Sequence, residues 1–427
     1  MYNLLIKNGK IVTPEKTLLN TDILIDGGKI SEVMPNINSD GYYTIDATDR
    51  IVIPGLIDMH CEICEPGYEY RESLVTASLS AARGGFTSIT CSPNTLPSID
   101  NKTVVEYIKT KSEADAVTHL FPYGNLTKEC KGKELTEYGE MQLSGIVALS
   151  DGDIPIQDNS IVKKIFRYAS MFGMPIIMHC EDTSISNKSG INEGYMATKL
   201  GLKGFPVVAE TLHLMRNIFL AKEYDINLHI THVSSKESVE LIRLAKGKGI
   251  NVTAETSPRY FILDESNVDY YNTFAKVSPP LRTKEDIDSI ISGLKDGTID
   301  VISSDHKPNT IDSKLLEFDI ASFGMSSFET AFKLSYTYLV KNGILTLQEL
   351  TNKMSYNPAN ILGINKGKIT PGYDADLTLI DINDKNIIDS KEFLSKAKYS
   401  LYDGYETHVN ITNTIIQGKH YNYNEDQ

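Results

Sequence analysis

The chain has 427 residues, 41% hydrophobic and 23% charged, which is enough apolar material for a large core and too much for a disordered chain. A formal net charge of −14 argues against nucleic acid or an acidic membrane as the main partner, because phosphate contacts need clustered Lys and Arg. Five cysteines in a chain of this length do not make a disulfide framework and imply a reducing cytoplasm.

The opening, "MYNLLIKNGKIVT", alternates polar and apolar residues where a signal peptide has an unbroken apolar stretch. No apolar run approaches the roughly 20 residues that span a bilayer. "NLLIKNGKIVT" and "TDILIDGGKISEVM" predict strands around Asn-Gly and Asp-Gly-Gly hairpin turns. From residue 54 the pattern changes. The apolar runs "IVIPGLIDMH", "FTSITC", "LSGIVALS", "MPIIMHC", "INLHITHVS", "INVTAET" and "IDVISSDH" alternate with helical segments such as "ESLVTASLSAARGG" and "KESVELIRLAKGKG". Strand–helix alternation with nearly continuous apolar strands predicts a parallel sheet covered by helices. Seven or eight such units over roughly 300 residues fit a closed (β/α)₈ TIM-type barrel. Near the other end, "DADLTLIDI" and "HVNITNTIIQGKHY" return to short strands, so the two termini are expected to build one small β-sandwich. The expected division is 1–53 and 366–427 for the sandwich and 54–365 for the barrel.

Polar residues recur at one place in these units. "LIDMH" ends in His60, "IVALSD" in Asp151, "PIIMH" in His179, "LHITH" in His232 and "VISSD" in Asp305. In a parallel barrel such strand ends share one mouth, where active sites form. Three imidazoles and two carboxylates suit Zn²⁺, with Mn²⁺ or Fe²⁺ also possible by ligand type. Alternation along an extended chain puts Glu62 and Cys64 on the side of His60 and Cys61 on the other. The same rule makes His229 a packed histidine.

On the motifs "PGLIDMH", "EPGYEYRES", "AARGGFTSITCSPNTLPSID", "MHCED", "HITHVSS", "SPPLR", "SSDHKPN" and "YNPANILGINKGKITPGYDADLTLID", the sequence resembles the dihydroorotases of the amidohydrolase superfamily over essentially its whole length. The resemblance implies a barrel with a small sandwich, a centre of one or two Zn²⁺ ions, a homodimer, and hydrolysis or closure of a cyclic amide. It assigns His60, Glu62 and Asp305 to one ion and His179 and His232 to another, with Asp151 as the bridging carboxylate. Asp305 would be the general base that passes a proton to the leaving nitrogen. The family pattern His-x-His-x-Arg reads His60-Cys61-Glu62-Ile63-Cys64 here, so Glu62 replaces a histidine ligand and Cys64 the arginine that grips a substrate carboxylate. That arginine is a charge-assisted partner worth roughly 1.5–3 kcal/mol. Of the remaining substrate positions Asn94 is retained, Asn309 replaces a histidine and Ser278 an asparagine. Arg71 is either a replacement anchor or a solvated residue at a helix start.

Three functions fit this pattern. The first is a dihydroorotase working on dihydroorotate and N-carbamoyl-L-aspartate in pyrimidine biosynthesis. The second is an amidohydrolase for another cyclic ureide or imide, and the third an inactive assembly partner of a transcarbamoylase.

Overall fold

The computed structural model describes residues 3–422. Eight parallel strands follow one another in space in chain order: Leu56–Asp58, Phe86–Cys91, His119–Gly124, Ala148–Ser150, Ile176–Met178, Leu228–Ile230, Val252–Thr256 and Val301–Ile302. The ring closes between the first and last of these. Cys61 bridges His306 in parallel register, and the Glu62 amide donates to the His306 carbonyl at 2.8 Å. Below that bridge the buried carboxylate of Asp58 accepts from the Ser304 amide at 3.0 Å and from the Ser304 hydroxyl. Helices cover the outside for the reasons their sequences give. In Asn159–Ala169 the side chains Ile161, Val162, Ile165, Phe166 and Ala169 recur at helical spacing and are buried, and the Asp158 carboxylate caps the start by accepting from the Ser160 amide.

The two chain ends join in one mixed sheet. Its strand order is Lys419–Asn422, Asn410–Ile416, Leu377–Asp381, Ile51–Pro54, Leu4–Val12, Thr17–Asp26 and Lys29–Met34, with Tyr43–Asp46 also beside Leu4–Val12. The Asp26-Gly27-Gly28-Lys29 hairpin forms as expected: both glycines take positive φ, as a two-residue turn of this twist requires. The expected Asn-Gly hairpin does not form. Leu4–Val12 is one strand with a register irregularity after Ile6, Asn8 has φ 61°, and its amide donates to the Asp22 carboxylate at 2.9 Å. Strands lie on both sides of it, so the left-handed residue becomes a bulge and not a reversal.

The run "IVIPGLIDMH", expected as one strand, is divided between the two sheets at Gly55. A Cβ there would lie 2.2 Å from the Thr87 hydroxyl, so the crossing point has room only for glycine. The strand His119–Gly124 is absent from the expected set, because Pro122 and Gly124 mask its pattern.

Candidate metal centre

The barrel strands are short, and the residues just beyond their C-terminal ends converge. His60 lies two residues past the first strand, His179 directly after the fifth, His232 two past the sixth and Asp305 three past the eighth. The rings of His60 and His179 each stand 4.8 Å from that of His232. The carboxylate that joins them is Asp153. Its Oδ1 lies 3.2 Å from His60 Nε2 and 3.3 Å from His232 Nε2, and one ligand atom from each of the three residues falls within 4.8 Å of the others.

Asp151, expected in this place, faces elsewhere. It accepts from the Thr127 amide at 3.0 Å and the Thr127 hydroxyl at 2.5 Å, and burial pushes its carboxyl up to about 6. The chain turns at Gly152 in the left-handed region, where a Cβ would strike the Asn94 side chain. That turn delivers the second aspartate of "SDGD", not the first, to the mouth.

Several features suit a bound cation. His60 Nδ1 lies 3.0 Å from Glu255 Oε1, so the carboxylate favours a proton on that nitrogen and leaves Nε2 for a ligand. Glu255 is fully buried between His60 and His229; burial pushes it up, but the two imidazoles prevail and hold it down at about 2. Burial likewise lowers His60, yet Asp153 and Glu255 outweigh it and raise the imidazole well above its ordinary value. The Nδ1 atoms of His179 and His232 are buried without a hydrogen-bond partner. Two to three imidazoles around one shared carboxylate oxygen fit the donor set of Zn²⁺ or a similar transition metal. A second group, His119 with Asp374 and Asp376, lies at the opposite end of the barrel and already surrounds the Lys366 ammonium at 2.6–2.8 Å.

The three carboxylates of the mouth also meet protein cations. Lys307 Nζ lies 2.5 Å from Asp153 Oδ2 and 3.0 Å from Glu62 Oε1. Arg71 donates to Glu62 Oε2 at 2.9 Å and to the Pro308 carbonyl at 3.1 Å. Buried Arg259 faces Asp305, its Nη1 3.3 Å from Oδ2, which leaves Oδ1 directed at His60 Nε2, 4.0 Å away. Asp153, Glu255, Lys307 and Arg259 were not expected from the sequence.

The fold of the described residues and the histidine–aspartate mouth have counterparts among known proteins. A family model described as "Dihydro-orotase-like" matches residues 49–238. A dihydroorotase of Acetivibrio thermocellus is 45% identical over 417 residues, covering 97% of this chain and 98% of the relative. One from Ruminiclostridium cellulolyticum is 48% identical over 416 residues, covering 97% of each. The chain belongs to the dihydroorotase family. Among solved structures, an L-hydantoinase (dihydropyrimidinase) from Arthrobacter aurescens superposes with a TM-score of 0.89 at 26% identity, covering 98% of this chain and 96% of that one.

Within this dihydroorotase frame the residues expected to hold substrate are differently engaged. Cys64 is buried at φ 59°, and burial pushes its thiol up to about 12, so it offers no charge. The Asn309 amide donates to the Phe323 carbonyl at 2.8 Å and to the Lys307 carbonyl at 3.3 Å. Asn94 Oδ1 accepts from the Cys130 thiol at 3.3 Å, while Ser278 is half-buried before Pro279. Arg71 is neither solvated nor free, since Glu62 and Pro308 hold its guanidinium. His229 is packed as expected, 2.8 Å from the Thr253 hydroxyl.

Proposed function

We propose that the protein is a metal-dependent cyclic amidohydrolase that interconverts dihydroorotate and N-carbamoyl-L-aspartate. The observation that carries this reading is the shared Asp153 oxygen between His60 and His232, with His179 alongside, in a chain of the dihydroorotase family. His60, Asp153 and His232 would hold Zn²⁺, with His179 as a further ligand. A divalent ion held there would polarise the amide carbonyl and lower the pKa of water. Asp305 would then have the general-base role: Arg259 forms an ion pair with one carboxylate oxygen, and the other faces the cluster, placed to take a proton from the attacking water and hand it to the leaving nitrogen. Five free, buried cysteines fit a reducing cytoplasm, and no helix among the described residues is long and apolar enough to cross a membrane. A homodimer is the proposed assembly, checked by light scattering.

A second substrate reading is favoured by the state of the anchors. Cys64 is neutral, and the Arg71 and Asn309 side chains are already engaged, so a cyclic ureide or imide without a carboxylate fits as well. The test is a panel assayed with zinc-loaded enzyme: dihydroorotate, dihydrouracil and hydantoin. Turnover of dihydroorotate at least tenfold above the other two supports the first reading, and the reverse order supports the second. A loaded enzyme that opens no ring refutes both.

A further inference from the structure

The sequence expects Glu62 to ligate a metal, yet both of its oxygens are taken by protein cations. Oε1 lies 3.0 Å from Lys307 Nζ and Oε2 2.9 Å from Arg71. Asp153 is divided in the same way. Its Oδ1 faces the two imidazoles, and its Oδ2 lies 2.5 Å from the Lys307 ammonium. An ion bound to Oδ2 at the usual ~2.1 Å would stand no more than about 4.6 Å from that ammonium and be repelled by it.

Lys307 is not a surface side chain that happens to lean inward. Its backbone amide donates to the Met325 carbonyl at 2.9 Å. Gly324, at φ 107°, packs so closely that a Cβ there would lie 2.6 Å from Lys307 Cγ. The stem is therefore clamped with its ammonium between two carboxylates. At the other end of the barrel Lys366 does the same for His119, Asp374 and Asp376, so the chain twice uses a lysine where a cluster of ligands could otherwise take up an ion.

We propose that Lys307 is a resident cation of the mouth, occupying the position between Glu62 and Asp153 that a second divalent ion would need. The centre accordingly takes one divalent ion, on the Oδ1 side of Asp153. This rests on the reading of the mouth as a metal centre, and the experiment separates the two. Wild type, Lys307→Met and Lys307→Arg are stripped with chelator and dialysed against excess Zn²⁺. Bound zinc per chain is then measured by mass spectrometry, with folding checked by circular dichroism.

The expected result is one zinc in wild type and in Lys307→Arg, and two in Lys307→Met. Two zincs in wild type, or no gain in Lys307→Met, overturns the role of Lys307. One zinc in both wild type and Lys307→Met leaves the metal centre standing and removes only the lysine argument. No zinc in wild type removes the metal-dependent function and the single-ion centre with it, whatever Lys307→Met binds. Should Lys307→Met not fold, anomalous diffraction from zinc-soaked wild-type crystals decides. A single peak beside His60 and His232 supports the proposal, and a second peak on the Oδ2 side of Asp153 refutes it.

Discussion

Replacing Asp151 with asparagine separates the two aspartates of "SDGD" by a property only one of them has. The Asp151 carboxyl is 2% exposed and is pushed from its ordinary 3.8 up to about 6, burial outweighing the two hydrogen bonds from Thr127. A carboxyl whose pKa is raised on folding favours the native state only while protonated, so wild type loses stability as pH rises from about 4 to about 6. At 1.36 kcal/mol per pKa unit, the loss comes to about 3 kcal/mol once the group is ionised. Asparagine keeps an oxygen for the Thr127 amide and can donate to the Thr127 hydroxyl without carrying charge. The difference in unfolding free energy between Asp151→Asn and wild type should therefore shift by about 3 kcal/mol in the variant's favour between pH 3.5 and pH 8. Urea unfolding at the two pH values measures it. Zinc uptake by Asp151→Asn should match wild type, whereas Asp153→Ala should lose it. A pH-independent difference would refute the raised pKa of Asp151, and loss of metal in Asp151→Asn would refute the assignment of Asp153 as the ligand.

Asp305→Ala should lower kcat by about 10²–10⁴ with zinc content retained, since general acid–base catalysis typically contributes that much; steady-state rates on metal-matched enzyme check it. Glu255, held at about 2 by His60 and His229, adds stability above its ordinary 4.5, and that contribution is lost as pH falls from about 4.5 through about 2. Glu255→Gln should flatten this acid limb in thermal melts. Arg282 is buried against Glu210 at 3.1 Å, Asn192 at 2.8 Å and the Phe205 carbonyl at 3.0 Å. Arg282→Met leaves a buried carboxylate unpaired and should cost about 3–5 kcal/mol in denaturant unfolding.

What the sequence disclosed and what it hid follow from the range of each signal. Strand periodicity and apolar runs are local, so the barrel and the positions of His60, His179, His232 and Asp305 at strand ends could be read directly. The choice between Asp151 and Asp153 depends on the backbone at Gly152, which packs on Asn94 from a different unit, and a local pattern carries no trace of that contact. Glu255 lies inside the strand Val252–Thr256, where attention to residues after strands passes over it. Lys307 is a loop lysine whose direction is set by Gly324 and by two carboxylates far away in the chain.

The seam that closes the barrel also fixes when the centre can come into being. Asp58 and Ser304, which fasten the first strand to the last, are 246 residues apart, and Glu62 and Lys307 meet across the same join. During synthesis the amino-terminal half leaves the ribosome with one strand edge unpaired and His60 without its neighbours, and it must wait for most of the chain. Contacts of such long sequence separation form slowly, and an open parallel edge is exposed to aggregation while it waits. A chain cut short before residue 300 would lack Asp305 and Lys307 and the strand that shuts the ring, so truncated products should be cleared as misfolded and not accumulate as partly active enzyme.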